Sequence, residues 1–477
     1  MLEYLSSESP LNHVIEEVNN FIWGWNWHSV IVVLGLCGIY FTIRTRFVQF
    51  RMIPEMFKLL VESAPKGGPK HQVSSFQAFA VSVATRVGTG NLAGVAGAIA
   101  VGGPGAVFWM WMIALIGAAT AFVESTLAQL YKRRNGMSFI GGPAYYIFHG
   151  LHKKWMACIF AVLMTLTFGL SYNSIQSNTI AGAMQSAFNL DPMIVGVVLT
   201  LLTLVIVFGG IHRIAKVSSV LVPVMAIGYF MLALVVIVMN YDKIPVVLEM
   251  IVENAFGVHQ VAGGMVGIAM REGVKRGLFS NEAGEGSAPN VAATAAVSHP
   301  VKQGLIQSLG VFTDTILVCS CTAFIILLSG VYHPGCEGGI VLTQEALQSQ
   351  IGVSGKVFVA IAILFFAFSS IIGNYYYGEA NIMFMTRNRS VLFVYRIFSG
   401  GVMVMLGVLG SFELVWNMGE VFMALITLCN LIAILMLGKY AFKLLEDYRR
   451  QKREGNKSPQ FNRSLLPQLK DDLDAWE

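Results

Sequence analysis

The chain carries little charge for its size. Asp, Glu, Lys and Arg together make up 12% of its 477 residues, whereas about 25% is usual for a soluble globular domain. Hydrophobic residues make up 55%, and the mean hydropathy is +0.64. So few charged side chains cannot cover the surface of a soluble protein of this length. The composition therefore excludes an ordinary soluble domain and predicts a polytopic membrane protein.

Enzyme motifs and a disulfide framework are also missing from the sequence. It contains neither H-E-x-x-H nor G-x-S-x-G, and its nine histidines fall at loops and helix ends. Most of the six cysteines lie in apolar runs. Cys319 and Cys321 would point about 200° apart on a helix, which argues against a metal pair. We therefore expect no enzyme, no organic cofactor and no nucleic-acid partner.

Long apolar stretches, in contrast, are abundant. They predict an all-α polytopic fold of about 11 transmembrane helices. The predicted spans are 29–44, 74–101, 105–130, 155–187, 192–210, 217–239, 255–286, 301–329, 355–385, 391–409 and 412–438. Three shorter amphipathic stretches, 50–64, 140–152 and 343–352, are predicted to lie along the membrane interface. The charged tail after Leu445 is predicted to be largely disordered.

Positive charges are distributed unevenly among the predicted loops. Alternate loops and the tail hold 29 of the 32 Lys and Arg residues, four of them in 271–302. The opposite loops hold Lys243 and Lys356, and Arg86 lies within a span. Cytoplasmic loops are enriched in Lys and Arg. The N-terminus is therefore predicted to lie outside and the tail in the cytoplasm.

The order of the spans predicts an internal repeat. An external segment, 1–28, and an extra helix with its loop, 29–73, precede two five-span units, 74–239 and 255–438; a cytoplasmic tail, 439–477, follows. Because five is an odd number, tandem units of this kind have opposite orientations, as inverted repeats do.

The first helix of each unit is interrupted by glycine. The interruptions are Gly88–Asn91 in the first unit and Ser280–Ser287 in the second. Lipid cannot satisfy the backbone groups that such a break leaves unpaired, so a break is tolerated where it lines a polar cavity. Two breaks at corresponding positions indicate the central site of a transporter.

Polar residues in and near these breaks are the candidates for binding substrate. Free amides at the N-terminus of a half-helix attract a carboxylate, although glycines in this pattern also fit close helix packing. Gln176 belongs to a polar helix that could instead line an outer vestibule, and Asn281 could simply emerge at the cytoplasmic face. The predicted substrate-binding residues are Gly88, Thr89, Gly90, Asn91, Gln176 and Asn281.

Two further groups of polar residues lie within the predicted spans. Ser369 and Ser370 could form an oxygen cage for Na⁺ with carbonyls freed by the first break, or could bond only to their own helix. Ionisable residues inside a membrane pair or act in transport. Arg86 is predicted to pair with Glu124, Asp314 or Glu379, and the second break adds candidate gating residues. These gating residues are Glu282 and Glu285.

Residues 102–111, GGPGAVFWMW, resemble the signature of the alanine or glycine:cation symporter family. The GTGN break, GGPAYY at 141–146 and LFSNEAG at 278–284 resemble further blocks of that family. The likeness extends over essentially the whole membrane region. It implies the fold of the bacterial leucine transporter, with five plus five inverted helices, here with one extra helix in front.

The resemblance also implies roles for individual residues. Residues 87–91, VGTGN, are similar to Val-Gly-Leu-Gly-Asn of the leucine transporter, which places a substrate carboxylate on the amides of Thr89 and Gly90. Arg86 replaces a small residue beside that protein's other sodium and would repel a cation, so one Na⁺ per substrate is expected. The implied sodium ligands are the carbonyls of Ala84, Val87 and Phe366 and the hydroxyls of Ser369 and Ser370.

The resemblance implies a secondary active symporter that takes up alanine or glycine with Na⁺ by alternating access. The alternatives are glutamine or another neutral amino acid as substrate, and protons as the coupling ion. Proton-coupled relatives of this fold carry a lysine on the fifth core helix, which is predicted here at 217–239 and holds no Lys or Arg. A channel would need a ring-forming filter instead. The resemblance also implies a place in the inner membrane of a prokaryote, and we expect a monomer embedded in membrane lipid.

Overall fold

The computed structural model describes residues 9–24, 29–62, 73–136, 138–257 and 263–476. In these ranges the chain is almost entirely helical, which confirms the predicted class. Ahead of the first unit lie α1 (Pro10–Trp23), α2 (Val30–Arg44), α3 (Val48–Arg51) and α4 (Ile53–Leu60).

The first unit begins with a broken helix. Ser74 and Gln77 form a capping box at its start, which satisfies the first free amides. A π-helical turn, Gly90–Gly94, follows the break, and a second one, Thr167–Tyr172, joins α9 to α10. The unit comprises α5 (Ser75–Arg86), α6 (Val95–Gly102), α7 (Gly105–Leu130), a hairpin of β1 (Arg133–Asn135) and β2 (Ser138–Ile140), α8 (Pro143–Leu151), α9 (Lys154–Leu166), α10 (Asn173–Phe188), α11 (Pro192–Val207) and α12 (Gly210–Met239).

The second unit also begins with a broken helix. Between its two halves, Glu282, Gly284 and Gly286 have positive φ angles of 55°, 101° and 80°. π-Helical turns again lie inside two of the spans, at Phe312–Cys319 and Phe398–Val402. After α13 (Ile244–Phe256), the unit comprises α14 (Gly263–Asn281), α15 (Ala288–Ala292), α16 (Pro300–Val311), α17 (Ser320–Ser329), α18 (Ile340–Ile351), α19 (Val353–Met385), α20 (Arg389–Ile397), α21 (Met403–Leu409) and α22 (Phe412–Arg453).

Helix α7 lies at the centre of the packing and contacts both α14 and α16. Glycines allow these close approaches. A Cβ added at Gly273 would lie 2.4 Å from the Ala106 carbonyl oxygen, and one at Gly304 would lie 2.1 Å from Thr126 Oγ1. Small residues at such crossings bring helix backbones together where no hydrophobic effect operates between helices. Both halves of the second broken helix, α14 and α15, are thereby held against α7 together with α16.

Most predicted spans coincide with helices, and so do the three predicted interfacial stretches, apart from 63–64, which lie outside the described residues. The exceptions lie between the units, where α12 begins at Gly210 rather than at 217 and α13 is bent by 79° from it. The next helix begins at Gly263, not at 255. Of the described helices, six are long and apolar enough to cross a membrane, or seven if the bent pair counts as one span. Eleven spans therefore stay a prediction.

Three cations were assigned to the wrong side. Arg271, Lys275 and Arg276 lie in α14, before the second break, and two of them form ion pairs with Glu420 near the start of α22. Asn19 of α1 donates to the same carboxylate. These cations therefore lie on the side of α1 and not of the tail. The excess of positive charge on the tail side is smaller than predicted but keeps its sign.

The tail is ordered, contrary to the prediction. Helix α22 continues to Arg453, and short 3₁₀ turns follow at Arg463–Leu465 and Pro467–Asp472. Leu466 and Leu473 are buried, and Trp476 Nε1 donates to the carbonyls of Gln129 and Leu130 at the end of α7. Charge and polarity in the sequence concealed these few apolar anchors, whose burial offsets the entropy of ordering the tail.

We expect Trp476→Ala to release the tail. Truncating a buried tryptophan costs about 3 kcal/mol or more, so the detached state should become about a hundredfold more populated. Limited trypsin proteolysis of the purified protein, followed at Arg463 and Lys470, measures this population. Gln468→Ala, at an exposed position of the same turn, is the control. Equal cleavage rates in the two variants would contradict the docking.

Candidate functional site

The first break diverts two backbone amides from the helix. In a continuous helix the amide of Gly88 would donate to Ala84 and that of Thr89 to Thr85. Instead, Gly88 N donates to Asn91 Oδ1 at 2.9 Å, and Thr89 N donates to Gln176 Oε1 at 3.0 Å. The carbonyl of Ala84 is therefore free to interact outside its helix.

Serine hydroxyls from α19 meet this carbonyl. Ser370 Oγ lies 2.9 Å and Ser369 Oγ lies 3.4 Å from the oxygen of Ala84. Each hydroxyl also lies within hydrogen-bond distance of the Phe366 carbonyl, Ser369 at 2.8 Å and Ser370 at 3.1 Å. The serines can therefore bond within their own helix as well. Four of the five groups predicted to bind sodium thus converge. The fifth residue, Val87, is fully buried and directly follows α5.

The predicted carboxylate position is occupied by a protein oxygen. Thr89 donates to Gln176 Oε1 through its amide at 3.0 Å and through its hydroxyl at 2.7 Å. A Cβ added at Gly88 would lie 2.4 Å from Ser370 Oγ and 3.0 Å from Gln176 Oε1. Gly88 therefore separates the serine oxygens from the Thr89 donors, and no side chain fits between them.

The first break touches the second broken helix directly. A Cβ added at Gly90 would lie 3.0 Å from the ring of Phe279 and 3.2 Å from Ser280 Cα. Phe279 itself packs between Tyr172 and Trp416, with ring centroids at 4.7 and 4.9 Å. This aromatic row covers the central residues from the side on which α14 begins.

Asn91 is held by a buried network around Asp314. Its Nδ2 donates to Asp314 Oδ1 at 2.7 Å and to Ser280 Oγ at 3.0 Å. Ser280 donates to the other oxygen of Asp314 at 2.7 Å. These side chains are fully buried. The nearby Asn281 donates to Thr315 Oγ1 at 3.2 Å, so its amide faces the π-helical turn after α16.

Arg86 is fully buried and does not form the predicted ion pair. Its Nη1 donates to the carbonyl of Gln307 at 3.3 Å. Within the described ranges, Nε and Nη2 have no hydrogen-bond partner, and no carboxylate lies within salt-bridge distance. Glu379 pairs with Arg396 at 2.7 Å instead. The guanidinium nevertheless interacts electrostatically at longer range with Glu124 and Asp314.

Three buried glutamates near the second break accept hydrogen bonds from its backbone or from neighbouring side chains. Glu124 accepts from the Gly284 amide at 3.3 Å and from Asn430 Nδ2 at 2.8 Å. Glu282 accepts from Ser287 at 2.5 Å, and Glu285 lies 3.3 Å from the hydroxyl of Tyr172, which donates to it. Glu124 thus holds the backbone of the break at Gly284, and the gating role of Glu282 and Glu285 stays a prediction.

Sequence reasoning missed an ion cluster beside Trp416, at one end of the aromatic row. Glu420 contacts Lys275 at 2.5 Å and Arg276 at 2.8 Å, and the Arg276 guanidinium lies 4.3 Å from the centre of the Trp416 ring. Arg276 and Trp416 also line a cavity of about 360 Å³. An acid inside the apolar run 412–438 was the available signal.

Comparisons with known proteins identify the family of this chain. The sodium:alanine symporter family model matches residues 8–463. The chain belongs to the sodium:alanine symporter family. This confirms the family indicated by the GGPGAVFWMW segment, and with it a membrane carrier of the symporter class.

Two Bacillus subtilis relatives are 50% identical to this symporter family member. One is described as a probable sodium/glutamine symporter, GlnT; the match covers 96% of this chain and 94% of GlnT. The other is the amino-acid carrier protein AlsT, with 98% of both chains covered. A manganese transporter structure from Eremococcus coleocola is 14% identical, covers 86% of this chain and 94% of its own, and has a TM-score of 0.55. It shows the shared fold alone.

The hydrogen bond between Asn91 and Asp314 can be tested in this symporter family member by a charge swap. Asn91→Asp places two buried carboxylates together, which should lower uptake by about a hundredfold or more. Asn91→Asp combined with Asp314→Asn restores a donor opposite an acceptor and should recover uptake to within about tenfold of the wild type. Uptake of radiolabelled substrate by proteoliposomes measures both. A folded double variant no more active than Asn91→Asp would contradict the pairing.

Proposed function

We propose that this protein takes up a small neutral amino acid, alanine or glycine, together with Na⁺ by alternating access. The observation that carries the proposal is the pair of diverted amides at Gly88 and Thr89. One diversion frees a carbonyl for a cation, and the other directs donors towards an anion. The two positions are separated by a single glycine.

The oxygen cluster suits Na⁺ as the coupling ion. Na⁺ is a hard cation, and the oxygens of Ala84, Phe366, Ser369 and Ser370 are neutral ligands of the type that hard cations prefer. The Ala84 carbonyl belongs to the last turn of α5, where the helix dipole is negative. Unwound carbonyls at such half-helix ends coordinate coupling ions in other carriers.

The substrate carboxylate takes the place of Gln176 Oε1 on Thr89. The two oxygens are chemically alike as acceptors, and the carboxylate is the stronger because it is charged. Displacement leaves the Gln176 side chain free to bind another polar group of the substrate. The amides that open the π-helical turn at Gly90 lie at the positive end of that helix, which favours the negative charge.

Glutamine is the second candidate substrate. The relative GlnT, described as a probable sodium/glutamine symporter, shares half of its residues with this chain. An amide side chain could bond to Gln176 or Asn281, which lie on two sides of the first break. Alanine and glycine are favoured because Phe279, whose ring packs on Tyr172, lies close against the break at Gly90 and leaves little room beside it.

Sodium coupling is favoured over proton coupling on the chemistry of the oxygen cluster alone. The absence of a cation from 217–239 is a weaker argument than the sequence suggested, because α12 begins at Gly210 and includes Arg213 and Lys216. A proton-coupled carrier would not need four converging oxygens. The protein is proposed to work as a monomer in the inner membrane, with α1 outside and the tail in the cytoplasm.

Uptake of labelled alanine into proteoliposomes should require an inward Na⁺ gradient. Unlabelled alanine and glycine should compete within about tenfold of each other, because one methylene contributes only ~0.8 kcal/mol. Leucine and phenylalanine should compete far more weakly, and alaninamide should fail because it lacks the carboxylate. Stronger competition by glutamine than by alanine would select the second candidate. Uptake that persists without the Na⁺ gradient would overturn the coupling.

Ser369→Ala with Ser370→Ala should raise the half-saturating Na⁺ concentration by about a hundredfold or more. An oxygen that faces a charge contributes about 1.5 kcal/mol or more, and alanine preserves the helix. The measurement is the Na⁺ dependence of alanine uptake. Thr165→Ala, which removes a hydroxyl bonded only to its own helix, is the control. Unchanged Na⁺ dependence in the double variant would remove the serines from the ion site.

A further inference from the structure

A cationic cavity lies between the tail-side ends of α2 and α22. It consists of two adjoining spaces of about 260 and 460 Å³ that share Arg46 and Arg449 in their walls. Most of the other polar residues that line them are also cations. The cationic lining residues are Arg44, Arg46, Arg51, Lys439, Lys443, Arg449, Lys452 and Arg453.

Three arginines of this cavity form no ion pair within the described ranges, although one carboxylate, Glu446, also lines the larger space. Among the residues that the structure describes, none of Arg46, Arg51 and Arg449 forms an ion pair with a carboxylate. Lys452 is already paired with Glu55 at 2.6 Å. Arg46, Arg51 and Arg453 all repel the charge of Arg449. Such clustering of like charges is unfavourable unless an anion enters.

The turn that carries Arg46 has an unfavourable backbone conformation. Arg46 and Phe47 have φ angles of 55° and 57°, so two consecutive residues other than glycine adopt the left-handed conformation. The strained turn is fixed by the Phe47 amide, which donates to the Thr42 carbonyl at 2.8 Å. This bond closes the C-terminal end of α2 as a left-handed helix cap does, and it fixes the position of Arg46 at that end.

An apolar stripe leads to the cavity along α2. Leu36, Ile39 and Ile43 are 64%, 48% and 60% exposed, and their spacing places them on one face of the helix. Met436 of α22 and Phe47 of the strained turn are also exposed, at 55% and 51%. The surface therefore combines an apolar stripe with a cationic end, which matches the two parts of a phospholipid.

We propose that this cavity binds the phosphodiester headgroup of an anionic phospholipid, with its acyl chains along the α2 stripe. Arginine guanidinium groups bind phosphate oxygens in pairs. Basic pockets between helices on the cytoplasmic side are typical binding places for acidic headgroups. The lipid joins the extra helix α2 to α22, the last helix of the second unit, by neutralising cations from both.

The test measures binding of phosphatidylglycerol to the purified full-length protein in neutral detergent by native mass spectrometry. Each arginine near a lipid headgroup contributes about a factor of five. Arg46→Gln with Arg449→Gln should therefore weaken binding about thirtyfold. The control pair, Lys154→Gln with Arg389→Gln, removes two exposed cations from the starts of α9 and α20. It should leave binding unchanged. Phosphatidylcholine should bind far more weakly to every variant.

A free-anion site is distinguished by adding inorganic phosphate, which should not displace the lipid because phosphate lacks acyl chains. Displacement by millimolar phosphate would overturn the proposal, as would wild-type affinity in the Arg46, Arg449 double variant. An equal loss in the control pair would also overturn it, because binding would then follow total charge alone.

A second pair of variants, Arg51→Gln with Arg453→Gln, repeats the test independently. Removing like charges should leave thermal stability without lipid undiminished, which excludes misfolding as the cause.

Discussion

One diverted hydrogen bond underlies the arrangement of the central site. The amide of Gly88 donates to the side chain of Asn91 and not to the carbonyl of Ala84. A membrane-embedded helix seldom gives up such a bond, because lipid offers no replacement partner. Here Asn91 supplies the acceptor, and Asp314 fixes Asn91 through its Nδ2 group. The free carbonyl that the serines meet is thus a consequence of a carboxylate more than 200 positions away in sequence.

In the proposed mechanism, this dependence couples ion binding to substrate binding without a long pathway. The Ala84 carbonyl and the Thr89 donors lie on either side of Gly88, in one stretch of backbone that has left the helix. An ion that draws the Ala84 carbonyl towards α19 fixes the backbone that presents the Thr89 donors. By linkage, a carboxylate on Thr89 then favours ion binding by the same factor. Contact of Gly90 with Phe279 extends the effect to the second broken helix.

The two helix breaks could be predicted from the sequence because polar, helix-breaking residues within an apolar run are unfavourable unless they serve a site. Glycine and asparagine within an apolar run, and two serines among phenylalanines, stand out without knowledge of partners. The Asn91–Asp314 pair and the Glu420 cluster did not stand out as pairs, since their partners are distant in sequence. The tail was mispredicted because five buried apolar side chains suffice to dock a charged segment; they are Phe461, Leu466, Leu469, Leu473 and Trp476. The cations of α14 were misplaced because a helix that breaks at Asn281 keeps them on its first half.

The buried guanidinium of Arg86 constrains how many cations the site can hold. It lies two residues from both Ala84 and Gly88, and it interacts only at longer range with the carboxylates around it, among them Glu124 and Asp314. These two carboxylates already accept hydrogen bonds from Asn430 and Asn91, so they are held in place by neutral groups. A second Na⁺ near Arg86 would face strong repulsion in a medium of low dielectric constant. We therefore expect the fixed cation to replace a second ion, and one Na⁺ to move with each substrate.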